Sequence, residues 1–453
     1  MLKPCFRLGK LASAFLYVAC HKDHSGYALF DESGGKPHAL HISISYSEQL
    51  PRIMNLTYHN HCTLPPGFRA SGVHAGIKPN PEKLDMALIV SDESETTVAG
   101  MFTTNKVQAA PVQRGIEQMK SGRARAIVIN SGNANACTGA QGVLDMQEMA
   151  DRMAKGLDVK ADEVIVSSTG SIGKPLQMDP VRNGIDLLVP ALSPDGGDQA
   201  ATAIMTTDTR PKGCTTSFEV DGKTITLAGL CKGAGMIEPN MATMLAYVFT
   251  DAEVSAEHLK QALKIAVDAS FNKISIDGDT STNDTVVCMA NGHAGVQLSP
   301  DHPDWDTFQT ALNGVMFDLA MKIVWDGEGM TKFIELRAKG AVSDQEADKA
   351  LRAIANSFLV KTGWAGTYPA WTRIVDVLGY CGVEIDPENL GVWYDELPLL
   401  EHSTPALPEA AALEAIVTSN RFVVTVDLGM NGPGEAVLYT CDCTEEYVRI
   451  NMF

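Results

Sequence analysis

Apolar residues in this chain arrive in two interleaved patterns, and that interleaving restricts the fold more than any other feature of the sequence. From about residue 67 onward, short β-branched runs bounded by Gly, Asn or charged residues recur at 86–92, 97–103, 125–130 and 163–168. Runs of that length and composition read as strands. Between them lie stretches with an apolar residue every three or four positions. Val143, Met146, Met149, Met153 and Leu157 mark one amphipathic helix; Leu259, Leu263, Ala266 and Ala269 mark a second; Phe308, Leu312, Val315, Met316 and Leu319 mark a third. Asp221-Gly222, between runs at 217–220 and 223–227, is the dipeptide favoured in a two-residue type I′ hairpin. Ser343 with Glu346 three residues on predicts a capping box, opening a helix that carries Leu351, Ile354 and Phe358. Two long alternating strands, 421–428 and 435–450, are predicted to close the chain across a Gly/Pro turn. The expected class is a mixed α/β (α+β) fold, with a main domain over residues 54–340 and a smaller C-terminal α+β domain over 341–453.

Composition removes several function classes. At roughly 150 residues per domain, 453 residues allow two or three cores. Asp+Glu 55 against Lys+Arg 36 leaves a net charge of −19, which repels phosphate backbones and argues against a nucleic-acid partner. Ten cysteines are scattered with no C-x-x-C pair, so they read as reduced thiols rather than a disulfide framework. On an alternating strand Cys441 and Cys443 would face the same side. His59, His61, Cys62 and His74 lack a further spaced ligand, so no metal site is expected. No run approaches the roughly 18 apolar residues of a membrane span, and no membrane partner is expected. Residues 1–53 read as an N-terminal extension: Lys3, Arg7 and Lys10 precede a short apolar run without a clean cleavage site, and Met54 is an alternative start. The expected location is the cytoplasm, or the mitochondrial matrix if that extension is a transit peptide.

Common catalytic motifs are absent from the sequence. Gly233-Ala-Gly235 lacks the third glycine of a dinucleotide fingerprint, and the Gly-Lys pair at 173–174 has the wrong spacing for a P-loop. Residues 277–284 lack the glycine of a calcium loop. What remains is the run from Lys232 to Thr243, Lys-Gly-Ala-Gly-Met-Ile-Glu-Pro-Asn-Met-Ala-Thr, leading into an apolar strand. A Thr at a strand start is ordinarily only a β-branched residue. Here small Ala242 leaves the carbonyl before Thr243 open, and Ser168-Thr169-Gly170 offers backbone N–H donors to an oxyanion.

Several longer stretches resemble one family. They are Gly67–Gly76, Phe102-Thr-Thr-Asn105, Asn130-Ser-Gly-Asn-Ala-Asn135, Ser168-Thr-Gly-Ser-Ile-Gly173, Thr206-Thr-Asp-Thr209, the Lys232–Thr243 run and Asp326-Gly-Glu-Gly-Met-Thr-Lys332. Together, over roughly residues 66–451, they resemble the glutamate N-acetyltransferases, the self-cleaving ornithine acetyltransferases of arginine biosynthesis. The resemblance implies autocatalytic cleavage between Ala242 and Thr243, into an α chain (1–242) and a β chain (243–453). It makes Thr243 the nucleophile and Thr169 and Gly170 the oxyanion hole. Thr206, Lys232, Thr243, Glu328 and Asn451 would hold acetylornithine or glutamate. It implies no cofactor, acetyl-CoA as a co-substrate in bifunctional members, and an α2β2 assembly. Two departures stand out. The chain ends Asn451-Met-Phe453 where the family usually ends in a Thr or Ser, and it has Tyr368-Pro-Ala-Trp-Thr-Arg373 where the family usually shows Asp-Pro-Asn-Trp-Gly-Arg. Two other readings compete: a self-processed aminopeptidase or amidase of related fold, and an uncut binding or scaffold protein.

Overall fold

Strands whose every residue is buried need cover on both faces, and this chain stacks its sheets to supply it. The computed structural model describes residues 17–20, 27–30, 56–238 and 244–452. Within residues 1–51, β1 (Tyr17–Cys20) pairs antiparallel with β2 (Tyr27–Phe30). All other elements belong to the second unit, Arg52–Phe453.

Its first sheet has the order β3 (Phe68–Val73), β4 (Met86–Ser91), β6 (Ala126–Asn133), β7 (Val164–Ser171). The second has the order β5 (Thr97–Phe102), β12 (Thr285–Ala290), β10 (Leu245–Thr250), β9 (Lys223–Lys232), β8 (Lys212–Val220). Alternation along β4 sets the layering. Met86, Leu88 and Val90 pack under α2 (Gly139–Leu157) and α3 (Met178–Leu188). Ala87 and Ile89 point the other way, towards Tyr247, Phe249, Val287 and Met289 of the second sheet and towards α4 (Gly197–Ala203). The outer face of that sheet, with Ala246, Val248, Val286 and Cys288, meets α5 (Ala256–Asp268) and α6 (Trp305–Val324). The result is a four-layer helix–sheet–sheet–helix sandwich, and each fully buried Phe or Leu in it contributes roughly 1.5–3 kcal/mol. Val112 of α1 (Ala110–Gln118) packs on Phe102 at one edge, and β11 (Glu253–Val254) pairs in parallel with β13 (Gln297–Leu298).

A third sheet runs β17 (Thr404–Pro405), β16 (Leu397–Glu401), β15 (Gly391–Tyr394), β18 (Arg421–Asp427), β14 (Phe333–Ala341), β19 (Gly434–Cys441). One face closes on α7 (Asp344–Ala355), α8 (Phe358–Ala365) and α9 (Trp371–Tyr380) through Leu351, Ile354, Trp364, Ile374 and Val377. Val417 of α10 (Ala410–Val417) joins that core. Gly340, at the soft domain boundary read from the sequence, lies inside β14 at a shift of register.

Several local expectations hold and several do not. Asp221 and Gly222 both have positive φ, 51° and 73°, as a type I′ turn demands. The helix through Met146, Met149 and Met153 forms, but Val143 is 46% exposed because it lies off the stripe facing the sheet. Ser343 caps α7 by accepting the Glu346 N–H at 3.3 Å. The reciprocal half of the box does not close, since the Glu346 carboxylate accepts the Glu384 N–H at 2.8 Å instead. α7 ends at Ala355, so Phe358 opens α8 and stays exposed. The strand expected over 435–450 stops at Cys441. Asp442 turns inward to accept the N–H groups of Thr331 and Lys332 at 2.8 and 3.0 Å, and Thr444 then caps α11 (Glu445–Ile450). Cys441 and Cys443 therefore do not share a strand, although both are buried.

Candidate active site

The run read from the sequence as a strand over 163–168 continues three residues further, β7 reaching Ser171. β6 and β7 run parallel there, with Thr169 opposite Ser131 and Gly170 opposite Gly132. Gly170 has φ +131°, and a Cβ on it would overlap the Gly132 carbonyl carbon and come within 2.6 Å of the Asn133 nitrogen. Only glycine permits that approach. Side-chain amides fasten the strand ends. Asn283 Nδ2 donates to the carbonyls of Ser168 (2.9 Å) and Ala134 (2.6 Å), Ser168 Oγ donates to Asn130 Oδ1 (2.7 Å), and Asn130 Nδ2 donates to the Asn133 carbonyl (2.8 Å). The Asn-rich stretch 130–135 is thus a set of clamps that hold the Thr169-Gly170 backbone in place.

A cleft of about 560 Å³ opens at these strand ends, and Thr169, Gly170, Thr206, Lys232, Glu328 and Asn451 all line it. Ala242 and Thr243 lie outside the described residues. Met244, bonded to Thr243, and Leu245 at the head of β10 also line the cleft. Lys232 closes β9 directly opposite Leu245 in register.

Behind Lys232 sits a buried charge network that sequence reasoning missed. The Asp208 carboxylate accepts the N–H groups of Gly233 (2.7 Å) and Thr206 (2.9 Å) and the Lys212 ammonium (2.7 Å). Lys212, 1% exposed, also pairs with Asp326 at 2.5 Å. Burial opposes the charge on Asp208, yet Lys232 and Lys212 together hold its carboxyl well below the usual range. Burial likewise disfavours charge on Lys212, and Asp208 and Asp326 outweigh it, holding that ammonium charged. Asp208 thereby ties two candidate substrate residues, Thr206 and Lys232, to one anchor.

The wall that carries Glu328 is tied to the turn after Lys232: Glu328 donates its N–H to the Ala234 carbonyl (2.9 Å), and its Oε2 accepts from Asn451 Nδ2 (2.6 Å). A Cβ on Gly235 would sit 2.5 Å from Glu328 Oε1, so that glycine makes room for the carboxylate. Asp277 links this wall to α11: it accepts the N–H groups of Met236 (2.6 Å) and Ile237 (2.7 Å) and the Tyr447 hydroxyl (3.1 Å). α11 in turn delivers Asn451. Two further lining residues escaped the sequence reading, Lys78 and Asp284. Burial pushes the Asp284 carboxyl well above the ordinary carboxylate range, and its Oδ2 has no hydrogen-bond partner among the described residues. The available signal was an acid placed immediately before a fully buried strand. Among the described residues no three His, Cys, Asp or Glu side chains converge as a metal site, and no helix is long and apolar enough to cross a membrane.

Backbone donors at the end of a buried parallel pair, with a lysine and a glutamate lining the same open cleft, define a site for acyl transfer involving an amino acid. The chain belongs to the ArgJ family, whose model matches residues 69–452. It is 46% identical over 391 residues to the arginine biosynthesis bifunctional protein ArgJ of Symbiobacterium thermophilum, covering 86% of this chain and 97% of that protein. It is 44% identical over 401 residues to the glutamate N-acetyltransferase of Methanocaldococcus jannaschii, covering 86% and 97%. Among solved structures it is similar to ornithine acetyltransferase from Mycobacterium tuberculosis, solved in complex with ornithine. That match has a TM-score of 0.39 and 41% identity over 41% of this chain and all of that one.

Proposed function

We propose that the protein is a glutamate N-acetyltransferase that moves an acetyl group from N2-acetyl-L-ornithine to L-glutamate after cutting its own chain before Thr243. Family membership over residues 69–452 carries this reading. It is supported by one cleft that gathers Thr169, Gly170, Thr206, Lys232, Glu328 and Asn451 beside Met244. In the uncut chain the Thr243 hydroxyl attacks the Ala242 carbonyl, the C–N bond breaks to leave an ester, and water opens the ester. A threonine hydroxyl is a weak nucleophile, but the α-amine that scission frees has a pKa near 7.7–8.0 and serves as its base. Cleavage is therefore also activation.

In turnover Thr243 Oγ attacks the acetyl carbonyl of acetylornithine and its proton passes through the amine to the departing ornithine nitrogen. The α-amine of glutamate then attacks the acetyl ester and restores the hydroxyl. Each step builds a tetrahedral oxyanion, to which the Thr169–Gly170 pair donates; one such donor is worth about 3–4 kcal/mol. Lys232 takes the α-carboxylate common to both substrates, and Glu328, oriented by Asn451, takes the ornithine ammonium. No cofactor enters this chemistry, and acetyl-CoA is a candidate second donor. The same reading includes an α2β2 assembly in the cytoplasm, a catalytic region over residues 54–340 with a smaller C-terminal domain, and an extension over residues 1–53 outside the enzyme proper.

Intact mass and a transfer assay test it together. The wild type should yield two fragments, the smaller starting Thr-Met-Leu, and should form acetylglutamate faster than free acetate. Thr243→Ala should remain one chain and transfer nothing, whereas Thr243→Ser, which keeps a hydroxyl, should still cut. A processed, active Thr243→Ala protein would refute the assignment.

A further inference from the structure

The two substrates of the proposed reaction pose a charge problem that Lys232 and Glu328 do not solve. Acetylornithine and glutamate share the α-nitrogen, α-carbon and α-carboxylate, but one side chain ends in an ammonium and the other in a carboxylate. A single cleft must serve both in turn. Among the described residues its charged lining comprises Lys78, Lys83, Lys232, Asp284 and Glu328. Lys232 is matched to the shared α-carboxylate, Glu328 to the ornithine ammonium, and burial pushes the Asp284 carboxyl up, towards its uncharged form. The second carboxylate of glutamate still requires a cation.

We propose that Lys78 is the residue that recognises the side-chain carboxylate of the acceptor, and so sets the preference for glutamate. The inference rests on the acetyl-transfer reading above. Geometry places Lys78 in the lining of the same cleft as Thr169, Gly170 and Thr206. Its backbone N–H donates to Asp85 Oδ2 at 2.9 Å, and that carboxylate also takes the N–H groups of Ala75, Gly76 and Ile77. The start of the side chain is therefore pinned. Its stem lies against Gly132, where an added Cβ would come within 3.3 Å of Lys78 Cγ, and Gly132 is the register partner of Gly170. The ammonium then donates to the carbonyls of Leu84 (2.8 Å) and Met205 (2.7 Å), and Met205 immediately precedes Thr206. Lys78 thus spans the floor between the oxyanion strand and a substrate-binding threonine. An ammonium has three donors, and two neutral carbonyls take two of them.

The charge on Lys78 is held incompletely. Burial lowers its pKa to about 8; Asp85 and Asp208 oppose that pull, while Lys83 and Lys232 reinforce it. A carboxylate arriving at the third donor supplies the missing counter-charge. Lys83, by contrast, is exposed on the rim.

The test compares acceptors. Enzyme acetylated from acetylornithine is offered glutamate or glutamine, which differ only in that terminal charge, and kcat/KM is measured for each. In Lys78→Met the preference for glutamate over glutamine should fall about tenfold or more, the scale of one charge-assisted hydrogen bond, with the loss in the KM for glutamate. Lys78→Arg should keep most of the preference. A processed Lys78→Met protein whose preference stays within about twofold of wild type overturns the proposal, however far its overall rate has dropped. Lys78→Gln, judged by the same ratio, decides the matter if Lys78→Met does not mature. Wild-type protein that releases acetate and forms no acetylglutamate overturns the acetyl-transfer reading itself, an outcome separate from an unchanged ratio.

Discussion

Replacing Gly170 by alanine, with Gly173→Ala as its partner, separates a backbone that must carry a glycine from one that merely prefers it. The two glycines lie three residues apart and both have positive φ, 131° and 77°. At Gly173 a Cβ would meet nothing within 4 Å, so only the left-handed backbone is penalised, at about 1 kcal/mol. At Gly170 the backbone lies in a region almost closed to other residues, a strain of order 1–3 kcal/mol. The added Cβ also overlaps the Gly132 carbonyl carbon and sits 2.6 Å from the Asn133 nitrogen, against an ordinary contact of 3.4 Å or more. Relief requires β6 and β7 to part by nearly 1 Å, an overpacking cost of a further 1–3 kcal/mol. Gly170→Ala should therefore lose about 4 kcal/mol and Gly173→Ala about 1 kcal/mol in urea unfolding followed by circular dichroism. Activity should separate them further. Displacing the Gly170 N–H removes an oxyanion donor, which costs about 10²–10³ in kcat, whereas Gly173→Ala should stay within a few-fold of wild type. Equal stability of the two variants, or a Gly170→Ala protein with wild-type kcat, would show that β7 does not hold its end as the structure has it.

Two other substitutions probe the walls of the cleft. Asp208→Asn strips the counter-charge from Lys232 and half of it from Lys212, and should destabilise the protein by about 3–5 kcal/mol at neutral pH, as broken buried pairs do. Because the folded-state pKa of Asp208 is depressed, its stabilisation is complete above the unfolded value near 3.9 and is lost as pH falls below it. Urea midpoints between pH 3 and 7 should accordingly show a smaller acid-side decline in Asp208→Asn than in wild type, and parallel curves would exclude that role. Asn451→Ala removes the 2.6 Å donor to Glu328 from an exposed position; the KM for acetylornithine should rise about tenfold with little change in melting temperature. An unchanged KM would release Glu328 from the role given to it.

Local pattern in the chain determined most of the elements. The β-branched runs at 86–91 and 97–102, the Asp221-Gly222 turn and the methionine stripe of α2 report forces that act between residues a few positions apart, and they are where the sequence placed them. Resemblance to a family marked Thr169, Gly170, Thr206, Lys232, Glu328 and Asn451, but not why those positions need those residues. Tertiary structure alone decided that. The region 435–450 looked like one strand because its apolar alternation continues past Cys441; the chain leaves the sheet because Asp442 finds the amides of Thr331 and Lys332, more than a hundred residues earlier. Lys78, and the anchoring role of Asp208 within the Thr206–Thr209 stretch, carried no local signature for the same reason. Their partners, Gly233 for Asp208 and Met205 for Lys78, arrive through sheet pairing and long connections. Burial and charge pairing depend on distance in space, and a one-dimensional pattern records such distances only between near neighbours.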